Sequence, residues 1–217
     1  MLSALQKALL FREVPEADLA RVAARCHLST VKKEARIFSE GESADNCFVF
    51  TSGRGKIVTC GRDGTEIILN IVEPLELVGE LALLDGSTRS ATLAAMRPSE
   101  LIVIPRTSFL TLRRNRAFED QLMLHVAAML RRATVRQRVM TYAAGDRVFW
   151  CLIGLALRSR TPINKSLVVS PRPTHQELAD MTGLTRETVS RRLVDLESEG
   201  RVRITKKAYT LDENAKR

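Results

Sequence analysis

"PTHQELADMTGLTRETVSRRLVDLESEGRVRI", residues 173–204, carries two helix starts, a glycine turn and the beginning of a strand. Thr174 stands three residues before Glu177, the spacing of a capping box, in which each side chain accepts a backbone N–H from the other residue. Leu178 and Ala179 then point inward. Gly183 supplies the left-handed residue that ends this short helix, and Leu184 plugs the core behind it. Thr185 caps a second helix whose Val189, Leu193 and Leu196 fall on one face. Two helices joined in this way form a helix-turn-helix.

The outward face of the second helix begins with Arg186, Glu187, Ser190 and Arg191, where a recognition helix presents side chains to base edges. Arginine pairs bidentately with guanine in the major groove, and glutamate accepts from cytosine N4. Thr188 and Arg192 flank these four within reach of phosphates. An ordinary solvated helix face would also carry Arg and Glu, but the cap, the glycine turn and the apolar triad agree with one another here. "GRVRITKKAYTL", residues 200–211, then alternates like a hairpin wing with Lys206 and Lys207 at its turn, placed for the phosphate backbone.

Upstream the texture differs. Between Ala35 and Glu73, short β-rich runs are separated by Gly41-Glu42, Ser52-Gly53, Gly55 and Asp63-Gly64, which predicts a small sandwich or barrel. Strands resume at Ala91–Met96 and Leu101–Ile104. The segment "GELALLDGSTRSA", residues 79–91, therefore interrupts a β-domain, and it brackets a tight turn with one carboxylate and one guanidinium. Arg89 suits an anion, Ser90 adds a hydroxyl donor, and backbone N–H groups of a short helix starting near Leu81 add a dipole. Glu80 accepts from a hydroxyl, and Gly79 permits close backbone approach. A plain Glu80–Arg89 salt bridge across a pocket that binds nothing is the competing interpretation. Two short helices are expected between Leu2 and Ala24.

From Thr107 to about Tyr142 one long helix is expected, since no Pro or Gly interrupts it. Leu122, Val126, Met129 and Ala133 step by four, three and four, a coiled-coil seam for a symmetric partner. Leu112, Met123 and Leu130 widen the apolar stripe, so that one side is expected to pack on the β-domain while the seam faces a second helix. Ala143-Ala144-Gly145-Asp146 reads as a hinge, with Gly145 ending one helix and Asp146 capping the next over Arg147–Arg158. The expected domains are thus a β-roll sensor over 1–106, a long dimerisation helix and hinge over 107–144, and a winged helix-turn-helix over 145–217.

Composition bounds the rest. With 217 residues, 45% of them hydrophobic, and a net charge of +9, the chain is a folded protein biased towards polyanionic partners. Cys26, Cys47, Cys60 and Cys151 lack the spacing of a zinc or cluster site and are expected to be buried, reduced thiols. His27, His125 and His175 are isolated, with solvent-facing or capping roles expected for the last two, so no metal is expected. No apolar run is long enough to span a bilayer, and a cytoplasmic protein without membrane partners is expected. No paired carboxylates, nucleophile elbow or phosphate-binding loop suggests an enzyme.

The order of these parts resembles the transcription regulators of the Crp/Fnr family, most specifically in "GELALLDGSTRSA" and "TRETVSRRL". The resemblance implies an α+β architecture: an N-terminal cyclic-nucleotide-binding β-roll (a double-stranded β-helix or jelly roll), a long dimerisation helix and a C-terminal winged helix-turn-helix. It implies a homodimer on a palindromic double-stranded DNA operator, with RNA polymerase as a further partner and cAMP or cGMP as effector. It places Gly79, Glu80, Arg89 and Ser90 in the nucleotide pocket. The purine side would be met near Arg132, Ala133 and Thr134, where Arg-Ala stands in place of the family's Thr-Ser pair. The family's Gly-Asp turn before the cassette is replaced by Leu75-Glu76. A constitutive DNA-binding regulator and a nucleotide-binding protein-interaction module are the alternatives.

Overall fold

Apolar residues of the first 24 positions form α1 (Leu2–Lys7), a 3-10 turn (Leu9–Phe11) and α2 (Glu16–Ala23), as expected. Pro15 opens α2, and Glu16 and Asp18 in its first turn suit the helix dipole. The computed structural model describes residues 1–61, 63–158, 162–163 and 166–212. The chain divides into two compact units, Met1–Arg131 and Arg132–Arg217.

In the first unit eight strands follow: β1 (His27–Val31), β2 (Arg36–Phe38), β3 (Asn46–Ser52), β4 (Gly55–Cys60), β5 (Glu66–Val72), β6 (Leu77–Val78), β7 (Thr92–Ala95) and β8 (Ser99–Pro105). A short helix, α3 (Leu81–Asp85), lies between β6 and β7. All pairings are antiparallel, in two four-stranded sheets ordered β1-β8-β3-β6 and β2-β7-β4-β5. The central strands β3 and β8 are buried on both faces, with Val49 opposite Ile102. Alternation sends Cys47, Val49, Ile102 and Ile104 to a core shared with α1 and α2, and Phe48, Phe50, Leu101 and Val103 to a second core with Phe38, Val72, Val78 and Leu93. At the turn before β6, Leu75 itself adopts the left-handed conformation (φ 69°), and its N–H donates to the Phe50 carbonyl at 2.7 Å. The chain therefore makes without glycine a turn for which glycine is the default.

The expected continuous helix is two helices, α4 (Arg106–Leu112) and α5 (Arg116–Val139). Asn115 breaks it: its side chain accepts the Phe118 N–H at 3.3 Å and its carbonyl accepts the Glu119 N–H at 3.0 Å. Glu119 in turn accepts two hydrogen bonds from Arg113, at 3.0 and 3.2 Å. The bend lets Phe109 and Phe118, both fully buried, meet edge to face at 6.0 Å.

The expected seam is corrected in the same region. Leu122 is only 2% exposed and belongs to the core of its own unit, so it does not face a partner; Leu112, on the widened stripe rather than the seam, lies in the same core. Val126 and Met129 are half-buried and Ala133 is exposed. Met123, Leu124, Leu130 and Val135 are the large apolar side chains that α5 exposes.

The second unit contains α6 (Ala144–Arg158), β9 (Pro162–Ile163), β10 (Ser166–Val169), α7 (His175–Thr182), α8 (Arg186–Ser198), β11 (Val202–Ile204) and β12 (Tyr209–Leu211). The hinge residues differ from expectation: α6 already starts at Ala144, so Gly145 does not end a helix and Asp146 lies inside the first turn. The Ala143 carbonyl accepts the Arg147 N–H at 2.9 Å, and Asp146 meets Arg201 at 3.5 Å. An antiparallel sheet ordered β11-β12-β10-β9 extends the expected two-stranded wing by two strands. Phe149, Leu152, Leu178, Val189, Leu193, Leu196 and Tyr209 form its core with α6.

Candidate ligand pocket and nucleic-acid interface

The cassette folds around its two glycine turns. Gly79 follows β6 at φ 84°, and a Cβ there would lie 2.8 Å from Arg89 Nη1 and 3.2 Å from the Phe38 ring. Only glycine fits that approach. The Glu80 carbonyl then accepts from the Leu83 and Leu84 N–H groups, both at 3.0 Å, to start α3, and Gly86 (φ 75°) ends it. The Arg89 backbone is fixed on both sides, its N–H donating to the Glu42 carbonyl and its carbonyl accepting from Gly41, each at 2.8 Å.

Arg89 is 4% exposed. Its Nη1 donates to the Gly79 carbonyl at 2.7 Å, and its Nη2 donates to the Asn46 carbonyl at 2.7 Å and to Asn46 Oδ1 at 3.0 Å. The guanidinium lies 4.2 Å from the Phe38 ring centre, and Phe38 stacks on Phe48 at 5.9 Å. Nε is buried without a partner, and among the described residues no carboxylate forms an ion pair with Arg89. Burial pushes the guanidinium down from its ordinary value, while the nearby Glu42, Asp45 and Glu80 carboxylates push it back up.

Glu80, 2% exposed, does not pair with Arg89: its Oε1 lies 3.2 Å from Nε2 of His125, on α5. The Glu80–Arg89 bridge of the competing interpretation is thus absent among the described residues, because Arg89 is committed to carbonyl oxygens. His125 is correspondingly not solvent-facing. Leu81 and Ser90 are exposed beside the buried pair. The structure does not bring together every predicted pocket residue in one unit: Arg132, Ala133 and Thr134 stand on α5 in the second unit, all exposed. Asn46, Phe38 and His125 were not legible as site residues, since nothing in their spacing distinguishes them from strand and helix filler.

The thiols follow burial. Cys26 and Cys47 are buried, Cys151 is half-buried, and Cys60 departs from expectation by being exposed on β4. Burial pushes the Cys26 thiol up to about 11. No group of residues suited to a metal ion occurs among the described residues, and no described helix is long and apolar enough to cross a membrane.

In the second unit the helix-turn-helix has the expected construction. Thr174 Oγ1 accepts the Glu177 N–H at 3.1 Å and Glu177 returns the bond to the Thr174 N–H at 2.6 Å. Gly183 is left-handed at φ 64°, and Thr185 Oγ1 accepts the Thr188 N–H at 3.2 Å and meets the Thr188 hydroxyl at 2.9 Å. With Val189, Leu193 and Leu196 buried, α8 leaves Arg186, Glu187 and Arg191 exposed and Ser190 half-buried. Arg192 is drawn to Asp195 at 2.9 Å. Lys206 and Lys207 are exposed at the β11–β12 turn. Arg172, absent from the expected set, ties this turn down: it donates to the Thr205 carbonyl at 3.0 Å, lies over the Tyr209 ring at 4.9 Å, and places Nη2 3.3 Å from His175.

Residues 28–116 match the cyclic nucleotide-binding domain and residues 146–215 the Crp-like helix-turn-helix domain. The cyclic AMP receptor protein of Thermus thermophilus is 32% identical over 170 residues, 77% of this chain and 76% of that protein. A CRP-like cAMP-activated global transcriptional regulator of Mycobacterium tuberculosis is 27% identical over 213 residues, 97% of this chain and 95% of its own length. The solved structure of the c-di-GMP responsive global regulator CLP of Xanthomonas campestris shares the fold with a TM-score of 0.71 at 22% identity, covering 91% of this chain and 99% of that one. Fold and sites together define a transcription regulator that joins a cyclic nucleotide-binding domain to a DNA-binding helix-turn-helix. The chain belongs to the Crp/Fnr family.

Proposed function

We propose that this regulator is a homodimer that reads a palindromic operator under control of a cyclic nucleotide, cAMP first and cGMP second, bound in the β-roll. The single observation that carries nucleotide control is Arg89. A buried cation whose contacts are carbonyls, an amide and aromatic rings, with one N–H orphaned, is electrostatically incomplete, and an anion supplies what it lacks. A bound cyclic nucleotide supplies that negative charge together with a sugar hydroxyl. Arg89 would hold the phosphate, Ser90 and the backbone at Leu81 would add donors, Gly79 would allow the approach, and Glu80 would accept the hydroxyl.

The dimer would form along the exposed apolar face of α5. Met123 and Leu130 lie one heptad apart, with half-buried Ala127 between them, and this stripe is turned about 100° from Leu122. Val126, Met129 and Ala133 would lie at its margin. Two copies of α8 about 34 Å apart would enter successive major grooves. Arg186, Glu187, Ser190 and Arg191 would read bases, and Thr174, Thr185, Thr188, Arg192, Lys206 and Lys207 would meet the backbone. A DNA-bound dimer would present its remaining surface to RNA polymerase. Nucleotide acts only by binding the DNA-competent state more tightly.

One observation favours a constitutive regulator instead: both terminal nitrogens of Arg89 already have protein acceptors. Calorimetry with cAMP and cGMP separates the two. Nucleotide control predicts saturable binding that Arg89→Ala abolishes while DNA binding without nucleotide persists, and no heat with either nucleotide supports the constitutive regulator.

A further inference from the structure

Glu80 is the only carboxylate among the described buried residues. A carboxylate withdrawn from water needs a donor, or it takes up a proton. Arg89 and Cys47 are close enough to feel its charge, but neither bonds to it, because the terminal nitrogens of Arg89 are committed to Gly79 and Asn46. The hydrogen-bond partner of Glu80 is His125 Nε2, 3.2 Å from Oε1, on a ring that is itself 17% exposed. This bond joins the head of α3 to α5 across 45 positions of sequence.

We propose that His125 is a positioning residue: by gripping one oxygen of Glu80 it aims the other at a ribose 2'-hydroxyl, and so sets the site's preference for ribonucleotides over their 2'-deoxy counterparts. The inference rests on the nucleotide reading above and adds the source of its sugar selectivity. A carboxylate has lone pairs for both the imidazole and a hydroxyl, so the two partners are compatible. With the imidazole gone, the Glu80 side chain has rotatable bonds and no fixed direction. A pocket built to hydrogen-bond a hydroxyl discriminates against an analogue lacking it only while its own acceptor is held in place.

The test is calorimetric titration of the full chain with cAMP and with 2'-deoxy-cAMP, for the wild type, His125→Leu and His125→Gln. The wild type should prefer cAMP about tenfold or more, the factor expected for one hydrogen bond to a charged acceptor. His125→Leu should bring the two affinities to within about twofold, whereas His125→Gln, which keeps an N–H donor, should restore most of the preference. His125→Phe, a ring without a donor, replaces the leucine variant if that one does not fold. A side chain that only fills space would weaken both nucleotides alike, so an unchanged ratio in His125→Leu overturns the proposal and leaves nucleotide binding intact. Equal wild-type affinities overturn it as well. A wild type that binds neither nucleotide removes the underlying reading and this proposal with it.

Discussion

Gly79 and Arg89 depend on each other. The glycine is left-handed and so close to the guanidinium that one methyl group would displace it. Gly79→Ala should therefore lower stability by about 1–3 kcal/mol, the range for a residue forced into such a conformation, and weaken nucleotide binding as well. Denaturant melts and calorimetry check both effects. His175 offers a second test. Burial, then the charges of Arg172 and Arg186, push its imidazole below the usual 6.5. The unfolded chain therefore binds the proton more readily, so this group's contribution to stability is present above pH 6.5 and is lost as acid takes the pH down through the lowered value. An NMR titration should place the His175 midpoint below 6.5, and Arg186→Ala should raise it. Gly79, Glu80 and Arg89 stood out in the sequence because charge and glycine are rare inside an apolar run. Asn46 and His125 did not, since only the folded chain brings them beside that run, and the left-handed Leu75 contradicts the residue preference by which such turns are read.

Among the elements, the starts of α7 and α8 were legible to the residue because their caps are local: Thr174 with Glu177, and Thr185 with Thr188, need no tertiary partner, whereas the two strands that widen the wing were not read. The break between α4 and α5 was not, because Asn115 caps a helix only if the chain chooses to stop there, and the packing of Phe109 and Phe118 decides that choice. The same packing turned the apolar stripe of α5. Periodicity shows that a stripe exists, and Leu122 shows which part of it the β-roll takes. Leu122→Ala should cost about 2–5 kcal/mol of stability without changing the association state. Leu130→Glu should leave the fold intact and dissociate the proposed dimer. Sedimentation equilibrium with thermal melts on the two variants tests this division, and Leu130→Glu remaining dimeric would refute the assignment of that face.

For the molecule as a whole, the +9 charge is a weak pointer by itself, but an α8 that exposes Arg186 and Arg191 and a wing that exposes Lys206 and Lys207 support the proposed contact with a phosphate backbone. The chain is thus a regulator that joins a cyclic nucleotide-binding domain to a helix-turn-helix, and the proposal that links the two is that nucleotide occupancy at Arg89 changes DNA affinity. Fluorescence anisotropy on a palindromic duplex at fixed salt, with and without cAMP or cGMP, measures that coupling directly. Affinity should rise by about 5–150-fold with the correct nucleotide, the usual range of allosteric coupling, and Arg89→Ala should abolish the increase. Equal affinity with and without either nucleotide would contradict the claim.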